Sequence, residues 1–220
     1  YAGVDYAAIL EQAQREADVI VWDGGNNDTP FFKPDVHVVV LDPHRAGHET
    51  TYHPGETNLL MADVALINKV DSAAPEDVVT LEKTIASHNP GARIVLADSE
   101  VNADQGERIA GKRVLVVEDG PTVTHGGMEF GAGVIAASRC GAAEIVDPRA
   151  YLVGTLKTTF RTYPHIDRVL PAMGYGEAQV KDLEATIARA AEGGVEGIAV
   201  GTPIDLAQIV DLPVPSTRVR

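Results

Sequence analysis

Four residues at the end of an apolar run set the first chemical question. Asn68-Lys69-Val70-Asp71 follows Val64–Ile67 directly. A carboxylate at Asp71 can accept hydrogen bonds from N1–H and the 2-amino group of guanine. Asn68 can hold neighbouring backbone, and the Lys69 stem can cover the base. Adenine would set a ring lone pair against the same carboxylate, so the pairing discriminates. The plainer alternative is a strand end followed by a polar turn. Upstream, Asp23-Gly24-Gly25 follows the apolar run Val19–Trp22. An acid at the end of a buried strand can hold Mg²⁺ directly or through water. Gly24 and Gly25 would let backbone approach a phosphate; an Asp-Gly turn is the alternative. An Mg²⁺-binding acid followed by a base reader is the order used by P-loop nucleotide domains. Together the two motifs carry more weight than either alone.

Three other groups could handle anions. Glu118 to Gly133 (EDGPTVTHGGMEFGAG) sets Thr122, Thr124, His125, Gly126 and Gly127 between an apolar run and a helix-like one. Exposed N–H groups and a helix N-terminus suit a phosphate there, with His125 as proton donor or phosphate ligand. A flexible connection is the alternative. Asp42 to Asn58 carries three histidines, two glutamates and Arg45. His44 and His48 have a metal-ligand spacing, but Pro43 and Gly47 argue against a helix, and Arg45 beside histidine suits an oxyanion better. A solvated loop reads equally well. Lys157 and Arg161 form a smaller cationic patch. Gly106 to Arg113 (GERIAGKR) imitates a phosphate loop, yet it ends in Arg where a Mg²⁺-binding hydroxyl is needed and leads into a strand rather than a helix. The phosphate cradle is therefore expected upstream of Tyr1, and this chain alone is expected to turn over no nucleotide.

The elements that must position these residues alternate between continuous apolar runs and amphipathic stretches, an α/β pattern of mostly parallel sheets flanked by helices. Strands are expected at Asp18–Trp22, Val36–Asp42, Val64–Asn68, Ala92–Asp98, Arg113–Asp119, Ala143–Asp147 and Val195–Gly201, with an edge strand in the tail. Helices are expected over Val4–Ala17, with Pro75 in the first turn and Gly91 beyond the end of the next, over Gly131–Cys140, before Gly193-Gly194, and after a Thr202 cap. A polar stretch suggests two domains, 1–105 and 106–220. The 220 residues, 45% hydrophobic, can build a full core. A net charge of −14 argues against nucleic acid as a partner. The lone Cys140 reads as a core thiol in a reducing compartment. No run approaches the roughly 18 apolar residues of a membrane span, and a cytoplasmic location is expected. A homo-oligomer is compatible with all of this.

Several strings, among them VIVWDGGNND, VALINKVD, DGPTVTHGGMEFGAG and LPAMGYGEAQVKDLEATI, resemble the cyclic 2,3-diphosphoglycerate synthetase family along essentially the whole chain. The resemblance implies a P-loop NTPase-like half followed by a second α/β domain, the present chain being the C-terminal part. It implies Mg²⁺ and ATP, with GTP the alternative that Asp71 favours, and a phosphorylated small acid cyclised through an intramolecular phosphoanhydride. By position, Asp23 matches the metal-binding acid, and Asn68, Lys69 and Asp71 match the base reader. Asp23, His125 and Arg45 are the expected catalytic groups; Thr122, Thr124, Gly126, Gly127, Lys157 and Arg161 are the expected substrate contacts. Lys33 is a further cation source. The rival reading is a regulatory or metallochaperone-type GTPase whose second domain binds a partner.

Overall fold

The computed structural model describes residues 3–25, 28–125, 127–173 and 176–220. It is an α/β protein that divides into two compact units, Tyr1–Ala97 and Asp98–Arg220.

In the first unit, helix α1 (Tyr6–Glu16) opens on Asp5, whose carboxylate accepts the Ala8 N–H. Strand β1 (Val38–Leu41) is followed by short helices α2 (His48–Thr51) and α3 (Gly55–Met61). Strand β2 (Val64–Ile67), helix α4 (Pro75–His88) and strand β3 (Arg93–Leu96) complete the unit. Pro75 sits in the first turn of α4, where its missing N–H leaves no bond unmade. The strands form a parallel sheet in the order β1-β2-β3. Val39, Leu41, Ala65 and Ile67 pack with Leu59, Leu81 and Ile85 in the core. Val38 and Val40, alternate in β1, are 49% and 61% exposed.

Asp18–Trp22 is not a strand. A strand exists only through its neighbours' N–H and C=O groups. This run has none in the β1-β2-β3 sheet, and Val19 and Val21 stay 78% and 87% exposed. Trp22 instead joins Phe31 and Phe32, with ring centroids 4.7 and 5.6 Å away. The Asp42–Asn58 segment also departs from a plain loop. Pro43–Arg45 forms a 3₁₀ turn capped by Asp42, and α2 and α3 follow.

In the second unit, strand β4 (Arg113–Asp119) is central. Helices α5 (Gly120–Thr124) and α6 (Ala132–Arg139), strand β5 (Glu144–Ile145), helix α7 (Thr155–Thr162) and strand β6 (Val169–Ala172) follow. Helix α8 (Glu177–Glu192) and strands β7 (Gly197–Gly201) and β8 (Ser216–Arg218) complete it. All strand pairings are parallel: β5 and β6 on β4, β7 on β4, and β8 on β7. Five consecutive β4 residues, Val114–Glu118, are buried, as a strand covered on both faces requires. Residues 98–105 belong here because their backbone pairs with the chain end. Asn102 and Arg220 exchange N–H···O bonds of 2.8 Å each, and Asp104 N–H reaches the Arg218 carbonyl at 2.9 Å. The segment after β7 forms only a 3₁₀ turn, Leu206–Gln208. Thr202 does not cap it, since its hydroxyl donates to the Ile204 carbonyl.

Candidate functional site

Polar side chains gather where the parallel strands of each sheet end, the edge at which open α/β sheets place ligands. In the first unit Asp42 directly follows β1 and Asn68 directly follows β2. Asn68 is held by its own N–H to the Leu41 carbonyl at 3.0 Å. Lys69 Nζ lies 2.7 Å from Asp42 Oδ2, and Arg45 lies 3.2 Å from the same oxygen. His44 Nε2 meets Ser72 Oγ at 3.0 Å. Burial would raise the Asp42 carboxyl, but the Lys69 hydrogen bond and the Lys69 and Arg45 charges hold it below its ordinary value. Lys69 has φ of 60°, a left-handed conformation that β-carbon sterics disfavour. Of the expected residues, the structure thus brings together Arg45, Asn68 and Lys69. Asp71 is exposed two residues on. Asp42 was missed as a site residue, although an acid closing an apolar run was its signal.

Asp23, Gly24 and Gly25 occupy an exposed loop. Asn58, on α3, donates to the Asp28 carbonyl at 3.0 Å and ties down the loop's far end. Among the described residues no group of three or more His, Cys, Asp or Glu is placed to hold a metal. His44 and His48 therefore do not form part of such a cluster. Lys33 is exposed.

In the second unit the strand-end residue Glu118 is 2% exposed. Its Oε1 accepts the N–H groups of Gly131 at 3.1 Å and Val134 at 3.2 Å, at the start of α6. The dipole end expected to receive a phosphate thus already receives this chain's own carboxylate. A β-carbon at Gly131 or Gly201 would come within 2.6 or 2.5 Å of Glu118 Oε2, which accounts for glycine at both positions. Burial pushes the Glu118 carboxyl up to about 7, against the pull of the Val134, Gly131 and Gly133 N–H groups. Neighbouring Asp119 accepts from the Thr122 hydroxyl at 3.3 Å.

Thr124 is 4% exposed, and its hydroxyl donates to the Gly120 carbonyl at 2.8 Å. His125 and Gly127 are exposed, the latter with φ of 66°. Gly126 lies outside the described residues. Lys157 and Arg161 stand one turn apart on the exposed side of α7, whose Leu156 and Phe160 are buried. Cys140 is half-buried against the second core. The Gly106–Arg113 imitation of a phosphate loop forms a 3₁₀ turn and then enters β4.

All 220 residues align, at 54% identity, with arginine synthetase ArcE of Thermococcus kodakarensis. The chain spans 48% of that relative's length. No family model matches it. Among the described residues no helix is long and apolar enough to cross a membrane.

Proposed function

We propose that this chain is part of a nucleotide-dependent ligase that forms arginine by activating a carbonyl oxygen of the acceptor and replacing it with nitrogen. The observation that carries this reading is 54% identity along the whole chain to a protein named arginine synthetase. A guanidinium is a ureido group whose oxygen has been exchanged for nitrogen. The natural acceptor is therefore the ureido amino acid, and the nucleophile is ammonia. Phosphorylating the ureido oxygen turns a poor leaving group into a good one, which is what nucleotide hydrolysis is needed for.

Within the first unit, the strand-end residues are the ones suited to a nucleotide. Asp71 would read the base, and Lys69, oriented by Asp42, would cover it. Asp23 is the carboxylate proposed for Mg²⁺; it stands in an exposed loop and not at a strand end, so its fit rests on the ion's needing only one or two carboxylates, with phosphate and water oxygens in its remaining positions. The ion, when bound, neutralises charge on the transferring phosphoryl group. Within the second unit, Lys157 and Arg161 are exposed cations suited to an acceptor carboxylate, and Thr122 and His125 are further polar groups for the acceptor.

Cyclisation of 2,3-bisphosphoglycerate, implied by the family resemblance, is the second reading. The electrostatics of the second unit favour the first. A substrate with two phosphates would meet Asp119 and a helix N-terminus already occupied by Glu118.

The test uses the full-length protein with Mg²⁺ and ATP or GTP, adding citrulline with ammonia, or 2,3-bisphosphoglycerate. Nucleoside diphosphate release that requires citrulline and ammonia, with arginine formed in equal amount, supports the proposal. Stimulation by bisphosphoglycerate alone moves it to the second reading. Hydrolysis indifferent to both supports a regulatory GTPase.

A further inference from the structure

We propose that Thr124 is a positioning residue that fixes His125 in the Nδ1–H tautomer, so that His125 Nε2 takes the proton released by the attacking nitrogen in the ligation step. A threonine hydroxyl has one proton. Thr124 gives that proton to the Gly120 carbonyl at 2.8 Å. Toward His125 Nδ1, 3.0 Å away, the hydroxyl oxygen can therefore only accept, and Nδ1 must carry the hydrogen. The lone pair then resides on Nε2, on an exposed ring. The relay is short: Gly120 carbonyl, Thr124 hydroxyl, His125 imidazole.

The neighbouring histidine is fixed the opposite way. His165 Nε2 lies 2.8 Å from the Val123 carbonyl, which can only accept, so Nε2 holds the hydrogen and Nδ1 the lone pair. The Tyr163 ring centroid lies 6.3 Å from that of His125 and 6.1 Å from that of His165. One five-residue helix thus fixes both rings: the Thr124 hydroxyl orients His125, and the Val123 carbonyl orients His165.

The chemistry rests on the ligase reading above. The nucleophile's nitrogen lone pair forms the C–N bond at the ureido carbon, whose oxygen carries the phosphoryl group. The C–O bond breaks, and its electron pair leaves with phosphate. One N–H proton passes to His125 Nε2, and the exposed imidazolium returns it to water. The same Nε2 is the atom through which His125 would donate once protonated, the donor role its residue type suggests, while the Thr124 hydroxyl, expected as a substrate contact, is turned to the Gly120 carbonyl.

The test is ¹⁵N NMR of the full-length protein with labelled histidine, at a pH alkaline enough for neutral rings, together with steady-state kinetics. His125 in the wild type shows a protonated Nδ1. Thr124→Val moves that proton to Nε2 and lowers kcat at least about tenfold with KM little changed, whereas Thr124→Ser restores both. His125→Gln lowers kcat about a hundredfold, within the usual range for lost acid–base catalysis. A wild-type spectrum with His125 protonated on Nε2 overturns the proposal, as does a Thr124→Val enzyme with wild-type tautomer and kcat. If the wild type has no ligase turnover, the ligase reading fails and takes the proton-acceptor role with it, while the spectrum still decides the tautomer.

Discussion

Lys69 Nζ and Asp42 Oδ2 meet at 2.7 Å across the ends of the parallel neighbours β1 and β2. This contact holds a lysine whose backbone is left-handed, and it makes Asp42 the centre of the polar cluster at the end of this sheet. Asp42→Asn keeps the shape and removes the charge shared by Lys69 and Arg45. The expected loss is about 1–2 kcal/mol in denaturant unfolding, because both cations are partly exposed. The Asp42 carboxyl titrates below its ordinary value when folded, so its contribution is present at neutral pH and disappears as pH falls through the acid range. The stability difference between wild type and Asp42→Asn should therefore shrink on acidification. A difference that stays constant would contradict the pairing.

Glu118 predicts the opposite slope. Its folded value is about 7 against an ordinary 4.5. Its contribution is fully present below pH 4.5, falls as pH rises toward 7, and levels off above. Two to three pH units at about 1.4 kcal/mol each amount to a change of about 3 kcal/mol. Glu118→Gln retains an acceptor for the Gly131 and Val134 N–H groups but cannot ionise. Urea titrations of both proteins across this range should show the wild type losing about that much relative to the variant. Parallel stability curves would contradict the assignment.

Packing around that carboxylate gives a third expectation. Gly201→Ala places a methyl 2.5 Å from Glu118 Oε2 and 2.9 Å from the Gly133 nitrogen. The cost is about 1–3 kcal/mol, the usual penalty of overpacking. Combined with Glu118→Ala, the clash with the carboxylate is relieved, and a double-mutant cycle should return a coupling of at least about 1 kcal/mol. Strict additivity would mean that the two groups do not touch.

The α/β class, the parallel strands β1 to β5 and β7, and helices α1, α4, α6 and α8 were legible in the sequence because each has a clear apolar period or a Pro or Gly boundary. Asp18–Trp22 misled for a physical reason: strand propensity is a local property, but strand formation depends on a neighbour. Helix α7 was obscured by threonines and by its cations, which drew a reading as an anion patch. Strand β6 was obscured by Pro171 inside it. Within the candidate site, residue types were legible and their partners were not. Nothing local in Glu118-Asp119 tells that the glutamate turns inward to Gly131 while Asp119 faces the Thr122 hydroxyl, or that Thr124 spends its only proton on a carbonyl.

Base choice gives a fourth expectation. If Asp71 reads guanine through two charge-assisted hydrogen bonds, Asp71→Ala weakens GTP binding about 10- to 100-fold while leaving ATP binding nearly unchanged. Calorimetry of the full-length protein with each nucleotide checks this. Equal losses for both nucleotides would remove Asp71 from base recognition.

The central claim is that nucleotide hydrolysis activates a carbonyl oxygen of the acceptor. Citrulline labelled with ¹⁸O in its ureido group tests it most directly. With full-length protein, nucleotide, Mg²⁺ and ammonia, mass spectrometry of the released inorganic phosphate should find one ¹⁸O per arginine formed. Arginine formed alongside unlabelled phosphate, or formed with no nucleotide present, would contradict the account.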